Sequence, residues 1–164
     1  MNTSFCLATF EDIPLIYSLA QKIWREHYPA VITTEQIEFM LFNRYSKRVI
    51  EEGILNGERY FLAYAEDEPL GYASIENQED FYYLHKFYID VSKHRNGIGK
   101  QFFDFLLLQT DSSKPIKLQV NRTNYKAINF YFKVGFIIQS VGDFDIGGGY
   151  FMNDFVMVRK PLGV

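Results

Sequence analysis

The amino-acid sequence predicts an α/β fold of the α+β kind, a mixed domain around a largely antiparallel sheet. Three observations point there. Apolar residues recur at helical spacing up to about residue 57 and then fall into strand-like runs. Three such runs follow one another with no helix between them, the pattern of antiparallel neighbours. Two further helical patterns then alternate with strands up to residue 159. The chain has 164 residues, 48% of them hydrophobic, which suits one domain with one sizeable core over residues 1–164.

Each element has a local reason. Residues 4–8 are a short apolar run and read as the first strand. Asp12 is a good N-cap with Pro14 in the first turn, and Ile13, Ile16, Leu19, Ala20, Ile23 and Trp24 then recur on one helical face until Pro29. Thr33 and Gln36 have capping-box spacing ahead of Ile37, Met40 and Leu41. Ser46 opens a third helix carrying Val49, Ile50 and Ile54, closed near Gly57. Residues 59–66 and 70–77 read as strands joined by a turn at Asp67-Glu68-Pro69, and residues 81–91 as a longer strand. A helix over 98–109 follows, then a strand over 116–120 after Pro115 and a helix over 125–134 stopped by Gly135. Strands over 136–141 and 150–159 flank Gly147, Gly148 and Gly149.

Composition narrows the function. The net charge of −3 argues against a general nucleic-acid binder. One cysteine, Cys6, excludes an internal disulfide, and as a small residue in the first strand it fits a packing role. No long apolar run suggests a membrane span, so a cytoplasmic protein is expected. His27, His85 and His94 lack ligand spacing, so no metal is expected.

Residues 94–103 read "HRNGIGKQFF", with Gly97 and Gly99 where a strand gives way to a helix. Such a junction leaves backbone N–H groups unpaired at the positive end of a helix dipole, a natural anion site. A tight turn needing φ > 0 is the alternative use of the same glycines. A Walker loop is excluded, because Gln101 follows Gly99-Lys100 and His94 stands where the first glycine belongs. A dinucleotide fingerprint is excluded by Phe102 at the third glycine position.

The stretch "LHKFYIDVSKHRNGIGKQFFDFLL" (residues 84–107) resembles the pyrophosphate-binding motif of the GNAT superfamily, the acetyl-CoA-dependent N-acetyltransferases. A second stretch, "LQVNRTNYKAINFYFKVGF" (residues 118–136), resembles that family's Asn-x-x-Ala-x-x-Phe-Tyr-x-x-x-Gly-Phe signature at Asn124, Ala127, Phe130, Tyr131, Gly135 and Phe136. His94 departs from the family's usual Gln or Arg, and Arg95 from its common glycine.

The resemblance implies a central sheet of about seven strands, flanked by helices and splayed between strands 4 and 5. It implies acetyl-CoA as cosubstrate, with its pyrophosphate on His94, Arg95, Asn96, Gly97, Ile98, Gly99 and Lys100. The pantetheine arm would bond to backbone groups of Phe87 and Ile89, and a backbone N–H among Phe87, Tyr88 and Ile89 would face the oxyanion. Asn124 would contact pantetheine or pyrophosphate, and it is equally placed to cap the next helix.

The same resemblance makes Tyr131 the acid that protonates the departing thiolate. A phenol, with a pKa of about 10, stays protonated at neutral pH and can serve a thiolate whose acid has a pKa of about 8.5. His85 occupies a position where relatives place a base, and an imidazole pKa of about 6.5 suits that work. Strand alternation puts His85, Phe87 and Ile89 on one face. A structural histidine, or a water held by carbonyls, would serve as well.

For the acceptor, the resemblance implies a pocket lined by Trp24, Tyr28, Tyr72, Tyr82, Phe144, Tyr150 and Phe151, with Glu26, Asp143, Asp145 and Asp154 near its rim. Rings and carboxylates together suit a small cationic amine. The stretches "WREHYP" and "GGGYFMNDFVM" resemble a subgroup that includes polyamine acetyltransferases. Two other functions fit the motifs: acetylation of a protein N-terminus or lysine, and a non-catalytic acetyl-CoA sensor. A homodimer through the C-terminal strands is open too, since the hairpin leaves an edge.

Overall fold

The change of hydrophobic period near residue 57 is where the chain leaves its helices for the sheet. A computed structural model describes residues 2–90, 92 and 97–161. Strand β1 spans Thr3–Leu7, followed by helices α1 (Ile13–His27), α2 (Thr34–Arg44) and α3 (Lys47–Leu55). Strands β2 (Glu58–Ala65), β3 (Glu68–Asn77) and β4 (Tyr82–Ile89) come next, then α4 (Ile98–Leu107), β5 (Ile116–Asn121), α5 (Tyr125–Lys133), β6 (Ile137–Gly147) and β7 (Tyr150–Arg159).

The helix starts are chemical. Thr33 accepts from the Gln36 amide at 3.2 Å, and Ser46 from the Val49 amide at 3.3 Å. Gln36 does not complete the box; its amide group reaches the Phe151 carbonyl at 2.9 Å instead. Asp12 stands before α1 without capping it. Its carboxylate takes the Thr9 amide at 2.7 Å, closing a 3-10 turn over Phe10–Asp12.

Two strand boundaries differ from the sequence reading. The β2–β3 turn falls on Glu66 and Asp67, both at positive φ, so Pro69 lies inside β3 opposite Tyr64, beside a register irregularity. Proline fits there because the ladder is already interrupted. Strand β6 runs on to Gly147 instead of stopping at residue 141. It is an edge strand paired only with β7, and its many solvent-facing residues give no alternating apolar signal.

The seven strands lie in the order β1-β2-β3-β4-β5-β7-β6, antiparallel except for β4 and β5. That parallel pair shares only Tyr82↔Ile116 and Tyr83↔Lys117, although β4 continues to Ile89 and β5 to Asn121. Beyond those pairs the sheet opens. β4 stays with β3 through Gly71↔Ile89, while β5 stays with β7 through Asn121↔Asp154. A bulge accompanies the parting: Ser74 faces Lys86 and Ile75 faces Leu84, leaving His85 as the extra residue. Bulges bend and twist the strand that carries them.

Each face of the sheet has its own core. On one, Ile16, Ile23, Trp24, Ile37, Leu41 and Ile50 of α1–α3 pack on Tyr60, Leu62 and Tyr72. On the other, Phe102, Phe103 and Leu106 of α4 and Ile128 of α5 pack on Phe61, Ala73, Leu84 and Leu118. Phe5, Phe102, Phe87 and Phe130 form a continuous ring stack, with successive centroids 5.2, 5.4 and 5.3 Å apart. It ties β1, α4, β4 and α5 together around the opening. Phe87→Ala removes the ring that bridges α4 and α5, and should lower unfolding free energy by about 3 kcal/mol in urea titration. A loss under about 1 kcal/mol would show that the stack is not what fixes α5.

Candidate active site

Where β4 and β5 part, a cavity of about 1460 Å³ enters the molecule. That exceeds the roughly 300–1,000 Å³ usual for one small ligand, so there is room for two reactants. It is bordered by residues 84–89 of β4, 119–121 of β5 and 97–100 of α4, by α5, by the end of α1 and by the β6–β7 hairpin.

The two glycines at α4 serve different ends. Gly97 caps the helix in the left-handed region (φ 71°), and a Cβ there would meet nothing, so conformation alone selects glycine. At Gly99 a Cβ would lie 3.3 Å from Phe130, so crowding by α5 selects it. The first helical bond is from the Gln101 amide to the Gly97 carbonyl at 3.0 Å. The amides of Ile98, Gly99 and Lys100 therefore precede the helical ladder and border the cavity at the dipole's positive end. His94, Arg95 and Asn96, expected to complete this loop, lie outside the described residues.

Helix α5 contributes Tyr131. Asn124 begins it, accepting from the Ala127 amide at 3.2 Å while also bordering the cavity. Gly135 (φ 98°) turns the chain back so that the Phe136 amide reaches the Tyr131 carbonyl at 2.9 Å. Tyr131 is thereby held between the rings of Phe130 (5.6 Å) and Phe136 (5.5 Å), which accounts for the Phe-Tyr-x-x-x-Gly-Phe spacing. Burial pushes its phenol well above the ordinary value, so it holds its proton.

Phe87, Tyr88 and Ile89 all border the opening. His85 does not share a face with Phe87 and Ile89, because the bulge interrupts the alternation. Phe87 packs toward α4 and α5, whereas His85 lies 4.6 Å from the Tyr83 ring, with Nε2 2.8 Å from Glu76 Oε2. The bulge has a second effect that the sequence does not signal. It turns Lys86 to the α1–α3 face, where it pairs with Glu58 Oε1 at 2.8 Å, and both residues border the cavity. Burial raises the Glu58 carboxyl, but Lys86 and the Ser74 hydroxyl outweigh it and leave the group below its ordinary value.

On the α1 side, Trp24 stacks on Tyr28 at 3.9 Å, and both border the cavity along with Phe144, Asp145 and Asp154. Asp154 is 2% exposed, and its Oδ1 is sealed from solvent with no hydrogen-bond partner among the described residues. Burial raises its carboxyl to about 6, against the pull of Arg122, which Asp143 holds. Tyr150 does not border the cavity; its ring packs on Phe39 at 4.9 Å. Tyr72 is buried beneath the helices, the Tyr82 hydroxyl accepts the Asp111 amide, and Phe151 is exposed. Glu26 borders a separate shallow depression.

Ligating atoms of Glu26, His27 and Asp90 come within 4.8 Å of one another, but Lys22 (2.6 Å) and Ser92 already bind Asp90 and hold its carboxyl near 2 despite burial. Among the described residues no helix is long and apolar enough to cross a membrane.

A family model described as "Acetyltransferase (GNAT) domain" matches residues 29–144, well over half of the chain. In sequence, the chain is 24% identical over 163 residues to a spermidine N(1)-acetyltransferase of Thermoplasma acidophilum, covering 93% of both. In fold, it is similar to a crystal structure of the PaiA N-acetyltransferase of that organism in complex with coenzyme A (TM-score 0.81, 22% identity, 98% and 99% of the two chains). It is also similar to the ribosomal-protein-S18-alanine N-acetyltransferase of Escherichia coli (TM-score 0.74, 14% identity, 99% and 96%).

The hairpin tip closes the cavity's α2 side through the Gln36–Phe151 bond and the seating of Gly148 (φ 63°) on Phe39. Gly148→Val should lift it, so that amides of residues 144–152 exchange with deuterium faster while those of α4 and α5 do not change. Equal protection across the hairpin would show that the tip does not depend on this contact.

Proposed function

The chain belongs to the GNAT acetyltransferase family, enzymes that move an acetyl group from acetyl-CoA to an amine, and on that premise we propose that its acceptor is a small cationic amine and that Tyr131 protonates the departing thiolate. The observation that carries this reading is a single cavity bordered both by anion-binding amides and by an aromatic and acidic wall.

The residues present fit the cosubstrate. The amides of Ile98, Gly99 and Lys100 suit a diphosphate, since N–H groups and helix dipole act together there. The stretch of β4 that has left β5 offers backbone groups to a pantetheine arm lying as an extra strand, and Phe87, Tyr88 and Ile89 are the candidates. An amide of that stretch would also stabilise the tetrahedral oxyanion. Such a placement brings the thioester against α5, where buried Tyr131 keeps its proton until sulfur departs.

The acceptor side favours a cation. The faces of Trp24 and Tyr28 and the carboxylates of Asp145 and Asp154 attract an ammonium. Among the described residues on that side, Lys86 is matched by Glu58, and Arg44 is exposed to solvent. The hairpin's closure on α2 favours a compact amine over a polypeptide. The kinship in sequence with a spermidine acetyltransferase agrees with this choice.

His85 and Asp154 both border the cavity and are the candidates to take the amine's proton. Purified protein with acetyl-CoA should release free thiol in the presence of spermidine, and far more slowly with a peptide bearing a free N-terminus. The reverse preference would contradict the acceptor class. Tyr131→Phe should lower kcat by about 100-fold while moving the KM for acetyl-CoA much less. Undiminished turnover would remove Tyr131 from the reaction.

A further inference from the structure

Resting on the acetyl-transfer reading, we infer that Asp154 is the catalytic base: its carboxylate holds the acceptor's ammonium and takes its proton before the nitrogen attacks.

Three carboxylates border the cavity among the described residues, Glu58, Asp145 and Asp154. Glu58 is bound by Lys86 and Ser74. Asp145 is exposed and accepts the Gly147 amide. Asp154 is buried, and its Oδ1 has no hydrogen-bond partner among the described residues. A buried acceptor without a donor is expensive, so its place on a cavity wall calls for a ligand that brings N–H groups. A protonated amine does so.

Its position suits the chemistry. Asp154 is the last β7 residue paired with β5, opposite Asn121, where the sheet has opened. Asp154 and Tyr131 border the same cavity, with the Tyr28 phenol within electrostatic reach of both. His85 is less free, because its Nε2 is engaged by Glu76 and a third of its side chain is exposed.

The step balances without any further reagent. The ammonium passes one proton to Asp154, leaving a neutral amine whose lone pair forms the C–N bond. The tetrahedral adduct expels sulfur as the C–S bond breaks and Tyr131 gives it a proton. The second proton on nitrogen restores the phenol, and the carboxylic acid returns its proton to solvent. The sum is ammonium plus thioester giving amide, free thiol and one proton. A carboxyl near 6 is mostly ionised at neutral pH and still basic enough to accept.

The groups acting on Asp154 are Arg122 after β5, with its partner Asp143 on β6, Tyr83 on β4 and Tyr28 after α1. Burial raises the folded pKa to about 6, above the roughly 3.9 of an unfolded chain. Between those values the folded state holds the proton more tightly, so ionisation costs stability as pH rises through the window. Asp154→Asn should therefore raise Tm at pH 7, with the gain gone below about pH 4.

The test assays wild type and Asp154→Asn with spermidine and with a free-N-terminus peptide. The variant should lose about 100-fold or more in kcat/KM for whichever amine the wild type uses, with the KM for acetyl-CoA unchanged. Its rate should climb at high pH, as the amine loses its proton unaided, and the acidic limb near pH 6 should vanish. Wild-type activity on the peptide alone overturns the small-amine reading and leaves Asp154 to be judged on that peptide; activity on neither overturns both. A variant with wild-type kcat/KM and limb overturns the assignment. So does a lower Tm with a raised acetyl-CoA KM, which marks a structural residue, or a limb that moves with His85→Gln instead.

Discussion

Two strands in the middle of the sheet stop pairing with each other after two residue pairs, and the molecule is organised around that opening. Parallel neighbours buried between helices ordinarily satisfy one another's backbone groups along their whole length. Here β4 remains with β3 and β5 with β7, and the edges they turn toward each other meet a cavity. On the proposed function, the extended, amide-bearing arm of the cosubstrate completes the ladder that the two strands leave open. The bulge at His85 sets the direction of β4. It sends Phe87 into the ring stack between α4 and α5 and turns Lys86 to the opposite face.

In the proposed reaction the site works through two buried acids of different strength. Tyr131 is kept protonated by burial beside Phe130 and Phe136. Asp154 is raised only to about 6, because Arg122 offsets part of its burial. Burial at Tyr131, and burial offset by Arg122 at Asp154, thus leave the phenol protonated and the carboxylate mostly ionised at neutral pH. Among the described residues, Asp154 Oδ1 has no hydrogen-bond partner that would have to be displaced first.

The elements and the family were legible because their signals are local. The strand-then-glycine-loop pattern and the Asn-to-Phe signature on α5 each rest on residues close in sequence, and the structure gives each a cause: left-handed φ at Gly97, crowding at Gly99, chain reversal at Gly135. The acceptor wall was less legible because it is assembled from distant segments. Tyr150, read as lining it, packs on Phe39 across the hairpin tip. The expected face of His85 failed because of one bulge, which no residue type announces. The length of β6 was hidden by its edge position, and the Lys86–Glu58 pair by sequence separation.

The central claim is that amides at the start of α4 and along the stretch of β4 that has parted from β5 together grip coenzyme A. Backbone amide NMR of the full chain, titrated with coenzyme A, tests it most directly. Downfield shifts of Ile98, Gly99 and Lys100, together with shifts across Phe87, Tyr88 and Ile89, are the predicted result. Saturable binding that leaves those six amides in place while shifting others would contradict it.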